Sequence, residues 1–418
     1  MARADATETL VSPERVGTME DRFGVRMRIA GLFAGIGGFE AGLHEAGHET
    51  ALLCEIWPPA AAVLTARFPD IRCVADIGAL DALPKDIDLV TAGFPCQDLS
   101  QAGRTAGIGG QKSGLVDHVF RLLDKDRPPR VLLENVSFML QLDRGSAMDR
   151  LVTAFEARGY RWAYRVVNSL AFLPQRRERV FLLASRVDDP ANVLLADEAL
   201  PTLPDTALDT HAHGFYWTEG IRGLGWGPDC VPTLKNGSTV GIPSPPAILL
   251  PDGTIVTPDL RDAERLQGFA AGWTEPATRA GRASLRWSLV GNAVTRPVAA
   301  WIGTRLAAPG RYDLARDGAV LEAGTRWPRA ARFDGFARRA VAISAFPVWL
   351  SRPSLHAFLS HPGVPLSERA TAGFLSRIER SRLRFVPGFH ERVRAHLARM
   401  REKSPQRSRE ARRLLAAE

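Results

Sequence analysis

The chain has 418 residues, 45% of them hydrophobic and 24% charged, with a formal net charge of +8. That length carries two or three domains with ample core, and no stretch approaches the ~20 consecutive apolar residues of a membrane span. The positive balance favours a polyanionic partner, nucleic acid first, although only five of the 54 basic residues are lysine, a bias that GC-rich coding also produces.

Residues 1–26 read as a loose leader. Met1 to Glu20 is polar and has no apolar h-region, so no signal peptide is expected and the protein is placed in the cytoplasm. From Met27 to about Arg186, strand-like and helix-like segments alternate. Met27–Leu32 is a strand, followed by a glycine-rich turn and a helical run from Phe39. Thr50–Glu55 is a second strand, and Ala60–Phe68 is helical. Ile87–Thr91, Arg130–Glu134 and Arg179–Ala184 are further short apolar strands. This rhythm predicts a parallel sheet with helices on both faces, whose ligands sit at the carboxyl ends of the strands. The rhythm stops after Val187. The stretch to Pro258 is rich in Pro, Gly, Thr and Trp and predicts a smaller irregular or β-rich domain. Helical signals return at Asp259–Phe269 and Asn292–Leu306. The remainder, 309–418, reads as a mostly helical basic extension. Its last stretch, from Glu391, holds eight arginines and one lysine against four glutamates, which suits phosphate contact and a solvated helix equally well.

The chemistry-bearing residues cluster at strand ends. Phe33-Ala34-Gly35-Ile36-Gly37-Gly38 joins a strand to a helix, and Glu55 closes the next strand, where a carboxylate suits the two hydroxyls of a ribose. The glycine spacing is not that of nicotinamide enzymes, which weakens an oxidoreductase reading. Cys54, Cys73, Cys96 and Cys230 are scattered with no C-x-x-C pair, so neither zinc nor a disulfide framework is supported. Cys96 stands apart. It lies in Gly93-Phe94-Pro95-Cys96-Gln97-Asp98-Leu99-Ser100, just past a strand, where Pro95 biases the chain to extended geometry and thiolate is the strongest ordinary nucleophile. Five glycines between Ser100 and Gly114 suit a mobile lid or a plain connector. Glu134-Asn135-Val136 ends another strand. Alternation places Gln175, Arg177 and Arg179 on one face. Gly291-Asn292-Ala293-Val294 is read as the opening of a helix.

Taken together, these motifs resemble the DNA (cytosine-5) methyltransferases. Phe33–Gly38 looks like the family's cofactor loop, Gly93–Ser100 its Pro-Cys motif and Glu134–Val136 its Glu-Asn-Val motif. Gln175, Arg177 and Arg179 fit its Q-x-R-x-R pattern. Arg261–Phe269 and Gly291–Val294 match its last two motifs, all in the usual order. The resemblance implies an α/β, Rossmann-like S-adenosylmethionine-dependent sheet (27–186, completed by 259–308) carrying a target-recognition domain at 187–258. It implies that Cys96 attacks C6 of a flipped cytosine, that Glu134 holds N3, and that Arg179, supported by Arg177, binds the O2 edge. On the cofactor side it implies Phe33 to Gly38, Glu55 for the ribose, and Ile56 rather than Trp57 over the adenine. Asp76 with Ile77, Pro95, Leu115, Asn292 and Val294 complete that set. Ser100, Gln175, Thr233, Leu234, Lys235 and Asn236 would contact DNA. The implied partner is duplex DNA, met by a monomer away from any membrane, with a restriction endonuclease for the same site as a further candidate. An RNA cytosine methyltransferase of the same fold and a non-catalytic DNA-binding homologue stay open as alternatives.

Overall fold

The computed structural model describes residues 25–94, 114–202, 205–235, 245–322 and 324–415, with the side chains of the last helix described to Lys403. Pro95, Cys96, Ser100, Asn236, the glycine-rich segment before Gly114 and the leader up to residue 24 lie outside the described residues.

The catalytic half opens with β1 (Arg28–Leu32), α1 (Gly38–Glu45), β2 (Glu49–Cys54), α2 (Pro58–Arg67), β3 (Cys73–Val74) and β4 (Leu89–Ala92). It continues through α3 (Leu115–Asp126), β5 (Arg130–Val136), α4 (Ser146–Glu156), β6 (Arg161–Asn168), β7 (Gln175–Arg176) and β8 (Glu178–Ser185). Strands β3-β2-β1-β4-β5 run parallel, as the alternating pattern predicts. β1, β4 and β5 are buried along most of their length on both faces, as a sheet covered by helices requires, while the edge strand β3 is half-buried. On one face Phe120 and Leu123 of α3 join Leu151, Val152 and Phe155 of α4. On the other, Phe39 and Leu43 of α1 pack with Val298 and Ile302.

The sheet is not parallel throughout. β8 inserts between β5 and β6 and runs antiparallel to both. The link from β6 to β8 is too short for the crossover that parallel neighbours need. β6 itself, Arg161–Asn168, gave no clear strand signal in the sequence because Arg161 and Arg165 interrupt its apolar run.

Past β8, residues Ala191–Leu195 still pack in the catalytic core, so the second domain begins near residue 205 rather than 187. It contains β9 (His213–Phe215), β10 (Trp226–Pro228), β11 (Val231–Pro232), β12 (Ala247–Leu249) and β13 (Ile255–Thr257). The chain then returns through α5 (Leu260–Leu266), α6 (Leu285–Asn292) and α7 (Arg296–Ala307).

The extension departs from its helical reading. β14 (Asp317–Val320), β15 (Ala330–Phe333) and β16 (Arg338–Val341) widen the main sheet beside β6, so that ten strands share one sheet among the described residues. The helical reading holds further on, for α8 (Glu368–Arg380) and α9 (Phe389–Leu415). Before them, β17 (Val364–Pro365) pairs with β13 of the small sheet. Phe374 and Phe389 of the two helices stack and cross against Phe215 of β9. The small domain is therefore built from two distant stretches of chain around one apolar core.

Glu40 on α1 is buried against β1, where any side chain at Gly31 would collide with its carboxylate. Burial pushes its pKa from 4.5 to about 7, opposed weakly by the Thr91 hydroxyl. The folded chain therefore holds a proton that the unfolded chain releases, and stability is lost as pH rises from 4.5 to about 7. Glu40→Gln removes that ionisation. Above this window the variant should be the more stable by about 3 kcal/mol, and below it the two should converge. Urea unfolding across pH tests this, and a gap that does not change with pH would contradict it.

Candidate active site

The site is built where the parallel strands end. After Leu32 the chain turns through Phe33 (φ 53°), Gly35 (φ 58°) and Gly37 (φ 84°) before α1 starts. Three left-handed residues in five hold the loop tight, at a steric cost for Phe33 and none for glycine. The Ala34 amide donates to the Cys54 carbonyl at 3.1 Å. Glu55, the first residue past β2, accepts from the Gly35 amide at 2.8 Å on one oxygen and from the Trp57 amide at 2.8 Å on the other. Burial raises its pKa, and these amides oppose the rise. Gly38 is pressed so closely on Val294 that an added Cβ would lie 2.5 Å from the Val294 carbonyl oxygen. The loop and the 291–294 segment thus form two walls of one crevice.

The crevice encloses a cavity of about 520 Å³, within the ordinary range for small-ligand sites. Of the residues predicted for the cofactor, Phe33, Ala34, Gly35, Ile36, Glu55 and Ile56 line it. Asp76, Ile77, Leu115, Asn292 and Val294 line it too, whereas Gly37 and Gly38 shape the turn behind it. Asp76 accepts from the Gly78 amide at 2.7 Å and caps a short turn. Ile56, 67% exposed, and Trp57 both line the cavity, and Trp57 also leans on the cluster containing Ile36 and Phe269.

The same cavity reaches Glu134, Arg177 and Arg179. Glu134 projects from β5 and is 8% exposed, and Arg179 projects from the neighbouring β8. The Arg179 Nε stands 3.1 Å from the Glu134 Oε1 without hydrogen-bond alignment, so this oxygen has no hydrogen-bond donor among the described residues. Burial raises the Glu134 pKa, and Arg179 and then Arg177 oppose it. A buried carboxyl whose pKa is raised, with an unsatisfied oxygen at a cavity wall, can hold or deliver a proton to a ligand. Next to it, the Asn135 side-chain amide donates to the Phe94 carbonyl at 3.0 Å. Asn135 thereby fixes the chain two residues before Cys96, a positioning role that its place beside Glu134 does not by itself reveal.

These geometries accord with the comparisons. Residues 27–215 match the family model for C-5 cytosine-specific DNA methylases. The chain is 46% identical over 367 residues to the Type II methyltransferase M2.BsuMI of Bacillus subtilis (strain 168), covering 85% of this chain and 94% of that protein. The chain belongs to the C-5 cytosine-specific DNA methylases. It is also 34% identical over 166 residues to the Type II methyltransferase M.Bsp6I of a Bacillus species, over 38% of this chain and 52% of that one. The solved Entamoeba histolytica methyltransferase EhMeth overlaps 67% of this chain and 98% of its own with a TM-score of 0.49 and 12% identity.

Four sequence expectations for this methylase need correction. Gln175 does not face DNA: it is fully buried, donating to the Leu266 carbonyl at 2.8 Å and accepting from the Leu234 amide at 3.0 Å. Leu234, 3% exposed, is likewise part of the interior. For Gln175 this follows from β7, which turns its side chain inward and leaves Arg176 exposed. Arg177 is also interior. Its Nη1 donates to the Leu234 and Gly291 carbonyls, each at 3.1 Å, and its Nη2 to the Ala293 carbonyl at 2.8 Å. It clamps the small domain's loop to the cofactor wall and serves as a positioning residue at the cavity's edge. Finally, Gly291–Val294 does not open a helix. α6 ends at Asn292, and α7 starts at Arg296 with Pro297 in its first turn.

Thr233 and Lys235 remain half-buried at the domain surface. The Thr233 hydroxyl donates to the Arg176 carbonyl at 2.9 Å, and its own carbonyl accepts from the Tyr216 hydroxyl at 2.8 Å. The Lys235 ammonium pairs with Glu219 at 3.0 Å and lies 4.0 Å over the Tyr216 ring. Among the described residues no cluster suits a metal ion, and no helix is long and apolar enough to cross a membrane.

Proposed function

We propose that this chain methylates C5 of a cytosine flipped out of a specific duplex DNA sequence, with S-adenosylmethionine as donor. The observation that carries the reading is one cavity holding a ribose-suited carboxylate at one end and the buried Glu134–Arg179 pair at the other.

The donor fits the first end. Each Glu55 oxygen spends one lone pair on a backbone amide and keeps another for a ribose hydroxyl. The exposed Ile56 side chain offers the adenine an apolar face, which favours it over Trp57, a second lining residue that is partly held by its cluster. Asp76 with Ile77, Pro95 and Leu115 would complete the adenine side, and Asn292 and Val294 the far wall.

C5 of cytosine is a poor nucleophile inside an aromatic ring, and its duplex partner must release it before any side chain can reach it. The Cys96 thiolate forms a bond to C6, and the displaced ring electrons are drawn toward N3, where Glu134 holds a proton. Arg179 grips the O2 edge and keeps Glu134 aimed. C5 now carries enamine electron density, and bound S-adenosylmethionine supplies an electrophilic sulfonium methyl to it. A water base then takes the C5 proton, the C5–C6 double bond re-forms, Cys96 leaves as thiolate, and N3 returns its proton to Glu134. The lid Ser100–Gly114 would exclude bulk water during these steps.

Thr233, Lys235 and Asn236 would touch DNA from the small domain. The reading includes action as a monomer on the nucleoid, away from membranes, and a restriction endonuclease for the same site. Support for the last is the Type II designation of the relatives. Bisulfite sequencing of DNA from cells expressing the chain should show one short sequence protected at one cytosine. Unmodified DNA, with labelled methyl found in transfer RNA instead, would overturn the reading.

A further inference from the structure

The extension beyond residue 309 has no part in the chemistry above, yet part of it is fastened to the small domain. Between α8 and α9, residues 381–388 lie against β10. The Trp226 indole of that strand donates to the Arg384 carbonyl at 2.9 Å and stacks on Phe385 at 5.6 Å. One turn back, Arg377 of α8 donates to the Trp217 carbonyl. Trp217 and Trp226 flank Tyr216 and Gly225, which hydrogen-bond each other at 2.9 Å. Tyr216 in turn carries the Thr233 carbonyl and lies under Lys235. The α8–α9 loop is therefore fastened to the hairpin whose Tyr216 supports Thr233 and Lys235.

The charge of this loop is unbalanced. Arg380, Arg382 and Arg384 are exposed. Among the described residues none of them has a carboxylate within ion-pair distance, and the nearby Glu379 pairs with Arg394 at 2.8 Å instead. The crowding is felt locally, since burial and then the charge of Arg380 lower the pKa of Arg377. Arg380 at the end of α8, whose Nε donates to the Ser376 carbonyl at 2.9 Å, and Arg382 and Arg384 in the loop thus present three guanidinium charges with no carboxylate partner among the described residues, which match phosphates in charge.

Resting on the methylase reading, we propose that Arg380, Arg382 and Arg384 form a phosphate clamp that holds the DNA backbone beside the target site. The small domain is then a reader made of two parts: 205–258 supplies base contacts, and the α8–α9 loop supplies backbone contacts. The clamp acts on any sequence and sets affinity rather than choice of site.

The test is binding of a mixed-sequence DNA duplex to the full chain across a salt series. The triple variant Arg380→Ala, Arg382→Ala, Arg384→Ala leaves Trp226, Phe385 and the Arg384 carbonyl in place, and an unchanged Tm shows that the fold is kept. Each lost phosphate contact should flatten the slope of log affinity against log salt by about one unit, so a loss of roughly two to three units is expected. Affinity should fall by the same factor for methylatable and scrambled duplexes. A control variant, Arg72→Ala, Lys85→Ala, Lys125→Ala, removes the same charge from exposed positions outside the small domain and should keep the wild-type slope. A triple-variant slope equal to wild type, an equal fall in the control, or a loss confined to the methylatable duplex would each overturn the clamp. Wild-type chain that binds no duplex at all would overturn the methylase reading itself, a separate result.

Discussion

Replacing Cys96 by serine is expected to abolish methylation, with turnover reduced by at least about four orders of magnitude, while S-adenosylmethionine binding stays intact. A thiol is partly ionised near neutral pH and is intrinsically nucleophilic, whereas a serine hydroxyl stays protonated at that pH and is a weak nucleophile. The other cysteines cannot stand in. Burial pushes the Cys54 thiol up to about 12 and the Cys230 thiol up to about 11, and it raises Cys73 as well. A duplex carrying 5-fluorocytosine at the target exposes the same step. After addition at C6 and methyl transfer, C5 bears fluorine and methyl and has no proton to lose, so elimination fails and the sulfur–carbon bond persists. The wild-type chain should therefore run as a slower band in a denaturing gel when the donor is present. The serine variant should show no such band. Methylation by that variant, or an adduct that maps to another cysteine, would remove Cys96 from the mechanism.

What the sequence disclosed depended on how local each signal was. Strands β1, β2, β4, β5 and β8 were readable because each is a short apolar run bounded by turn residues, and the loop Phe33–Gly38 because a strand-to-helix turn needs left-handed residues. Glu134 could be placed at the crevice because it ends an apolar strand, but its pairing with Arg179 of the antiparallel β8 was not readable. Non-local features were not readable. β17 is two residues long and joins β13 across about a hundred residues of chain, so no window of sequence contains the pair. β14–β16 carry charged residues on a sheet edge and lack the alternation that marks a half-buried strand. Alternation correctly grouped Gln175 with Arg177, but a period of two says only that residues share a face. It does not say whether that face meets DNA or the interior, and here it meets the interior. Arg177 shows why such a polar residue is kept there: three carbonyls at the ends of other segments need donors, and a guanidinium has five to give.

Glu134→Gln separates binding from chemistry. The amide keeps the shape of the carboxyl and can still donate an N–H to cytosine N3, so duplex affinity should change little. It cannot pass a proton to N3, so the ring no longer gains the electron sink that addition at C6 requires. The methyl-transfer rate in a single turnover should fall by roughly 10²- to 10⁴-fold. The pH dependence carries the sharper signature. Burial raises the Glu134 pKa, so in the wild-type chain the protonated carboxyl persists to higher pH than an exposed glutamate would allow, despite the opposing pull of Arg179 and Arg177. The wild-type rate should therefore lose this contribution as pH rises through that raised pKa, against the gain from Cys96 ionisation. In the glutamine variant the loss on the alkaline side disappears, and the rate simply climbs as the thiol ionises. A variant within about tenfold of wild type, or one with an unaltered pH profile, would place the proton at N3 under another group and leave Glu134 as a partner that merely orients Arg179.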